Sequence, residues 1–142
     1  MSATFNLTGR ATIKHLNVRK EVHGEEKILA VDLKFEFEHM KRDLCEFFDD
    51  ALVGFLWRGH GDALTVRNVY LSPIQYDVDI VDAVVVVNKK KYTSCTIKKF
   101  HLEPHDGGTV TLTCTAALYP ESADLSSLGK LVQEMAYVSL EG

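Results

Sequence analysis

The sequence predicts an α+β domain built by internal duplication, (βββαβ) twice, with two amphipathic helices packed on antiparallel sheets about a pseudo-twofold axis. Three observations carry this expectation. Thr12-Ile13-Lys14 recurs as Thr96-Ile97-Lys98. An apolar pair follows each, Leu16 and Val18 in the first case, Phe100 and Leu102 in the second. An alternating strand then precedes a helical segment in both copies: Val31-Asp32-Leu33 leads to Asp43-Leu44, and Leu112-Thr113-Cys114 leads to Asp124-Leu125. The intervening turns differ in length, which costs little free energy. The 142 residues form one domain, with repeat one at about 3–71, a connecting strand at about 75–81 and repeat two at about 82–141.

In chain order, Ala3 to Leu7 predicts a short strand, with Thr8-Gly9 as a turn into Arg10 to Val18. Ile13, Leu16 and Val18 break the two-residue period, so a β-bulge near Lys14-His15 is needed to keep one apolar face. Ile97, Phe100 and Leu102 show the same irregularity and predict a second bulge. Lys20 to Lys27, charged and containing Gly24, is a hairpin loop. Leu29, Val31, Leu33, Phe35 and Phe37 alternate with polar or small residues, the clearest strand in the chain. Leu44, Phe47, Phe48, Ala51, Leu52, Phe55 and Leu56 then fall on one helical stripe, with Asp43 and Glu46 as a capping box and Gly59 and Gly61 as its end.

Ala63 to Leu71 predicts a strand ending at Ser72-Pro73, and Tyr76, Val78 and Ile80 a half-buried one. The valine run Ala83 to Val87 suits a strand covered on both faces. Asn88 to Lys91 is its turn and Tyr92 to Leu102 its hairpin partner. Asp106-Gly107-Gly108 turns into a strand over Thr109 to Leu118, which Pro120 ends. Ser122 caps a helix carrying Leu125, Leu128, Leu131, Val132 and Met135, and Tyr137 to Leu140 closes the chain as a strand.

A hydrophobic content of 46% with 25% charged residues excludes a disordered tail or linker. The net charge of −4 excludes a uniformly basic surface but leaves room for a local one. No run approaches a membrane span and Met1 to Phe5 lacks a signal-peptide pattern, so the expected location is cytoplasmic, without a membrane partner. Cys45, Cys95 and Cys114 are odd in number, widely spaced and set among apolar residues, which predicts buried reduced thiols.

No glycine spacing matches a phosphate loop, dinucleotide fingerprint or nucleophile elbow, so no enzyme activity, catalytic residue or cofactor is expected. His101 and His105 are four apart, but Pro104 and the strand context spoil a metal geometry, and no metal is expected. His15, His23, His39 and His60 are scattered through different elements, and Asp77 and Asp79 on one strand face have no nucleophile beside them.

The basic residues point further. Lys89, Lys90 and Lys91 sit on a hairpin tip, Lys98 and Lys99 follow on the strand leaving it, and Arg10 and Lys14 hold the matching places in the first copy. With Tyr92 and Phe100 available for stacking, this combination suits single-stranded nucleic acid, held by phosphate neutralisation and base stacking. An alternative is that the lysines only keep a strand edge soluble. A second candidate surface lies on the first helix, where Glu46, Asp49, Asp50, Val53 and Trp57 combine acid with an aromatic anchor suited to protein contact, the alternative being that Trp57 is ordinary core.

The element order, from the Leu29–Phe37 strand and Asp43–Trp57 helix to the Val110–Leu118 strand and Ser122–Met135 helix, resembles a circularly shifted sliding-clamp domain. The acidic Glu46, Asp49 and Asp50 depart from the basic helices that clamps turn toward DNA. The Val31-Asp32-Leu33-Lys34 and Lys98-Lys99-Phe100 strands are similar in texture to small tailed-phage and prophage proteins encoded among recombination and replication genes. That resemblance implies a non-enzymatic accessory role in DNA metabolism with single-stranded DNA as partner. The competing expectation is a module that inhibits a host or defence enzyme through a protein partner. A homo-oligomer built on an exposed strand edge is a further expectation.

Overall fold

The computed structural model describes residues 5–59, 64–67 and 74–142. The expected strand residues 3–4, 63 and 68–71, the Ser72-Pro73 stop, His60 and the Gly61 helix end lie outside the described residues. The chain is mostly β: a seven-stranded antiparallel sheet, a two-stranded sheet and a few short helices. The strands are β1 (Asn6–His23), β2 (Glu26–Lys41), β3 (Trp57–Arg58), β4 (Thr65–Val66), β5 (Ile74–Tyr76), β6 (Ile80–Val87), β7 (Lys90–His105), β8 (Thr109–Leu118) and β9 (Met135–Glu141). The helices are α1 (Leu52–Leu56), α2 (Asp124–Lys130) and a 3-10 turn at Arg42–Phe47.

The large sheet runs β5-β7-β6-β9-β1-β2-β8, and a further β7–β8 pairing joins β8 back to β7. Six strands therefore close into a barrel, with β5 paired outside the ring to the end of β7. Alternation supplies the interior: Leu7, Ala11 and Ile13 from β1, Leu33, Phe35 and Phe37 from β2, and Leu112, Cys114 and Ala116 from β8 are all buried. Val85 and Val87 from β6, Ile97, Phe100 and Leu102 from β7, and Val138 and Leu140 from β9 complete it. Ala83, Val85 and Val87 point inward while Val84 and Val86 stay half-exposed, so β6 is covered on one face rather than the expected two.

Both expected bulges are present. The β1–β2 register shifts between Ile13 and His15, and the β7–β8 register between Lys98 and His101, where Lys99 has φ 58°. Each inserts extra backbone into one strand, so that Ile13 and Leu16, and Ile97 and Phe100, return to the core side. Thr8-Gly9 is not a turn: β1 is continuous from Asn6, because Leu7 to Thr12 pair residue by residue with Leu140 to Met135. The expected Tyr76–Ile80 strand is divided, with β5 ending at Tyr76 and β6 beginning at Ile80.

The two long helices do not form as expected, and no clear duplication is shown. After β2 the chain makes the 3-10 turn, a break at Asp49–Ala51 and the short α1. Asp49 Oδ1 accepts a hydrogen bond from Ala51 N at 2.8 Å, a local turn that competes with helix. Packing acts the same way. Phe47 and Phe48 together plug one end of the barrel, Phe47 at 4.9 Å from Phe5 and Phe48 at 5.2 Å from Phe100 and 4.7 Å from Tyr76. Phe55, expected in the apolar stripe, is left 62% exposed.

The second helix stops at Lys130 rather than near Met135. Gln133 takes a left-handed conformation (φ 69°), its N–H bonds Ile13 O at 2.7 Å, and Ile13 N donates to Glu134 O at 3.1 Å. The β1 bulge thereby captures the chain and redirects it into β9. Ser122 is not the cap, a place taken by Ala123 without a side-chain bond.

The small β3–β4 sheet is fastened to the β7–β8 turn. Trp57 Nε1 donates to His105 O at 2.7 Å, Val66 N donates to Asp106 Oδ1 at 2.8 Å, and Gly107 N to Leu64 O at 2.7 Å. Gly108, at φ 87°, leaves the space that Leu64 occupies, since a Cβ there would lie 2.8 Å from Leu64 Cδ1.

Candidate nucleic-acid interface

Residues directly opposed in an antiparallel ladder present their side chains to the same face. On β1, β9, β6 and β7 the pairings Thr8–Ser139, Ser139–Val86 and Val86–Lys91 form one outward row. Arg10–Tyr137 begins the next, and Asn88 continues it, giving its N–H to Tyr137 O (2.8 Å) and taking Tyr137 N–H on its Oδ1 (2.9 Å). Asn88 and Lys89 both have positive φ, 46° and 75°, so a two-residue turn joins Val87 to Lys90 and lifts Lys89 to its tip.

A groove of about 480 Å³ runs over these rows, lined by Thr8, Val86, Asn88, Lys89, Tyr137 and Ser139. Tyr137 is 59% exposed, and the Arg10 guanidinium lies over its ring, 5.4 Å from the centroid. Arg10, Lys89 and Lys91 thus share one barrel face with an exposed aromatic ring. Tyr137 was not among the residues singled out from sequence. Its signal was present, since it alternates with Ala136 and Val138, which β9 turns inward.

The remaining basic residues lie elsewhere. Lys98 pairs with Thr115, Thr115 with Lys34, and Lys34 with His15, a row across β7, β8, β2 and β1. Lys98 is on β7 itself, seven residues beyond Lys91 and about 20 Å from it at strand rise, so it lies past the end of the Tyr137 groove. Lys99 is exposed at its bulge. Lys14 occupies the other bulge, half-buried, with its carbonyl accepting from Gln133 Nε2 at 2.9 Å. Lys90 points toward α2, 3.7 Å from Asp124.

The expected stacking rings are not on the surface. Tyr92 is only 7% exposed, with burial and then the Asp124 charge pushing its phenol up. Phe100 belongs to the aromatic plug. A phenylalanine or tyrosine at an inward barrel position costs more to expose than a surface contact returns.

On the other candidate surface, Glu46, Asp49 and Asp50 are exposed, while Val53 is half-buried against the core. Trp57 is 2% exposed and bonded to His105 O, so it is a core residue rather than an anchor for a partner. Cys45, Cys95 and Cys114 are free and buried, and burial pushes their thiols up to about 11, 11 and 12. At neutral pH they are protonated and unreactive. Among the described residues no three His, Cys, Asp or Glu side chains meet in a group that could hold a metal ion, and no helix is long and apolar enough to cross a membrane.

One polar cluster escaped sequence reading. Arg19 binds Asp32 through both carboxylate oxygens (2.9 and 3.2 Å) and also Glu21. Glu21 Oε1 takes the Tyr119 hydroxyl at 3.0 Å and stands 3.0 Å from His23 Nε2. These bonds, that to His23 foremost and then the Arg19 guanidinium, hold the Glu21 carboxyl down at about 2. Hydrogen bonds to Asp32 and then to Glu21 hold the Arg19 proton more tightly than usual. Arg19, Glu21 and His23 lie two apart on one strand face, but Asp32 and Tyr119 come from other strands or their ends.

No family model, no curated protein and no solved structure matches this chain.

Proposed function

We propose that this protein is a non-enzymatic, phage-type accessory protein of DNA replication or recombination, acting in the cytoplasm. Its role is to bind single-stranded DNA on the face formed by β1, β9, β6 and β7. The observation that carries the reading is the exposed Tyr137 ring, capped by Arg10 at 5.4 Å and bordered by a groove with Lys89 at its rim. A base stacks on such a ring whatever its identity, and the three cations Arg10, Lys89 and Lys91 neutralise neighbouring phosphates. The face commits these groups to binding and supplies no nucleophile with an adjacent base.

The duplication belongs to the same proposal. Exchanging β1 with β7, β2 with β8 and β9 with β6 leaves the ring of pairings unchanged, and both long hairpins carry a bulge. On this reading, an ancestral hairpin-and-strand unit was doubled and closed into a barrel, and one copy gained the lysine-bearing turn.

Fluorescence anisotropy of a labelled oligonucleotide tests the function. Binding should weaken with salt, with a log–log slope of about −2 if three phosphates are neutralised. Absence of binding at low salt refutes it. Neutralising Lys89 and Lys91 should weaken binding, whereas neutralising Lys98, farther along β7, should weaken it less.

A further inference from the structure

The ends of β1 and β2 leave the barrel as a two-stranded arm. Among the described residues, β1 pairs with β9 only up to Thr12 and β2 with β8 only from Val31, so Lys20–His23 and Glu26–Leu29 are laddered to each other alone. One arm face carries the pairs Val18–Val31, Lys20–Leu29 and Val22–Lys27. Val18 is 47% and Val22 70% exposed, so this face sets apolar side chains and two lysines in water. The other face carries the Arg19–Asp32–Glu21–Tyr119 network, which ties the arm to the end of β8. The arm is held in place before anything binds it.

The opposite barrel end is acidic. β2 is 16 residues long, about 50 Å at strand rise, and it runs from the arm to Lys41, where the 3-10 turn begins. There the stack of Phe48 on Tyr76 brings two segments together. The first exposes Glu46, Asp49 and Asp50, and the second exposes Asp77, Val78 and Asp79. Val78 is 40% exposed, an apolar centre within the acidic rim.

We propose that the Val18–Val22 face of the arm docks on this acidic end of a second copy of the chain. Valines meet Val78, and Lys20 and Lys27 meet the carboxylates of the 3-10 turn and the β5–β6 connection. The two surfaces differ and lie at opposite ends of one molecule, so the contact is head-to-tail and generates a ring or filament rather than a closed twofold dimer. The inference does not rest on nucleic-acid binding, which uses the β1–β9–β6–β7 face.

Analytical ultracentrifugation of the nuclease-treated full chain tests it. At low salt the wild type should show a concentration-dependent mass above the monomer, with dissociation constants of about 1–100 µM, and salt should lower it. Lys20→Glu/Lys27→Glu and, separately, Asp50→Lys/Asp79→Lys should each weaken association at least tenfold, with unchanged circular dichroism. Mixed in equal amounts, the two variants should associate again, because the intact arm of one meets the intact acidic end of the other and the two reversed surfaces are also opposite in charge. A wild-type monomer at about 100 µM overturns the proposal, as even the weakest affinity expected would leave a large share of the chain associated there. It is also overturned by a mixture that stays monomeric, by association sensitive to the arm variant alone, or by a mass that nuclease treatment abolishes.

Discussion

Replacing Tyr137 with alanine separates the proposed binding face from the fold. The ring is 59% exposed, and what ties it to the barrel is backbone: its N–H and C=O bond Asn88, and its neighbours Ala136 and Val138 fill the interior. Truncation therefore removes surface contact and the cation–π partner of Arg10, a stability loss below about 1 kcal/mol. In a complex the same ring carries one stacked base, worth about 1–3 kcal/mol. At 1.36 kcal/mol per tenfold change, that is a loss of about 5- to 150-fold in affinity. Anisotropy titrations at fixed low salt, with thermal denaturation alongside, read both quantities. Because the substitution removes no charge, the salt slope should stay near its wild-type value. Unchanged affinity in Tyr137→Ala, with the wild type binding, refutes stacking at this site. A large drop in melting temperature shows the residue to be structural.

Three further outcomes follow from the packing and the polar cluster. Phe100→Ala empties the centre of the aromatic plug, 0% exposed and in contact with Phe5 and Phe48, and should cost about 3–5 kcal/mol in denaturant titrations. Trp57→Phe keeps most of the apolar volume but removes one of two hydrogen bonds on the His105 carbonyl, which retains that from Gly108 N at 3.2 Å, for a loss of about 0.5–1.5 kcal/mol in the same measurement. The Glu21 carboxyl is held below its ordinary value, so its contribution is complete above about pH 5 and is lost as pH falls toward its folded pKa of about 2. Amide exchange in the β1–β2 arm should accelerate over that window, and Glu21→Gln should abolish the dependence; an arm whose exchange is insensitive to pH after correction for the intrinsic rate contradicts the network's role.

Much of the wall of this barrel was legible locally. Alternation located β2 and β8, the offset apolar spacing at Ile13, Leu16 and Val18 located a bulge, and Asn88-Lys89 and Asp106-Gly107-Gly108 marked turns. These features depend on side-chain period and backbone preference within a few residues, and such information is written in the chain order. The proposed binding face was only partly legible: the basic residues stood out, but they were credited to one surface, with Tyr92 and Phe100 as the stacking rings.

Closure is where local reasoning ended. Pairings such as Arg10–Tyr137 and Lys34–Thr115 join residues far apart in sequence, and no local pattern states which strands become neighbours. Those pairings put Arg10, Lys89 and Lys91 beside Tyr137, left Lys98 farther along β7 in a row with Thr115 and Lys34, and turned Tyr92 inward. They also overruled two helices. The stripe from Leu44 to Leu56 satisfies helical period, but Phe47 and Phe48 gain more by plugging the barrel end together than by staying in one helix, and the segment near Val132 is drawn into the β1 bulge. Sequence alone determined which residues face inward along alternating strands such as β2 and β8, because that period is local. The tertiary structure alone decided which outward faces adjoin, because burying one common core selects among strand orders that local preference leaves equal.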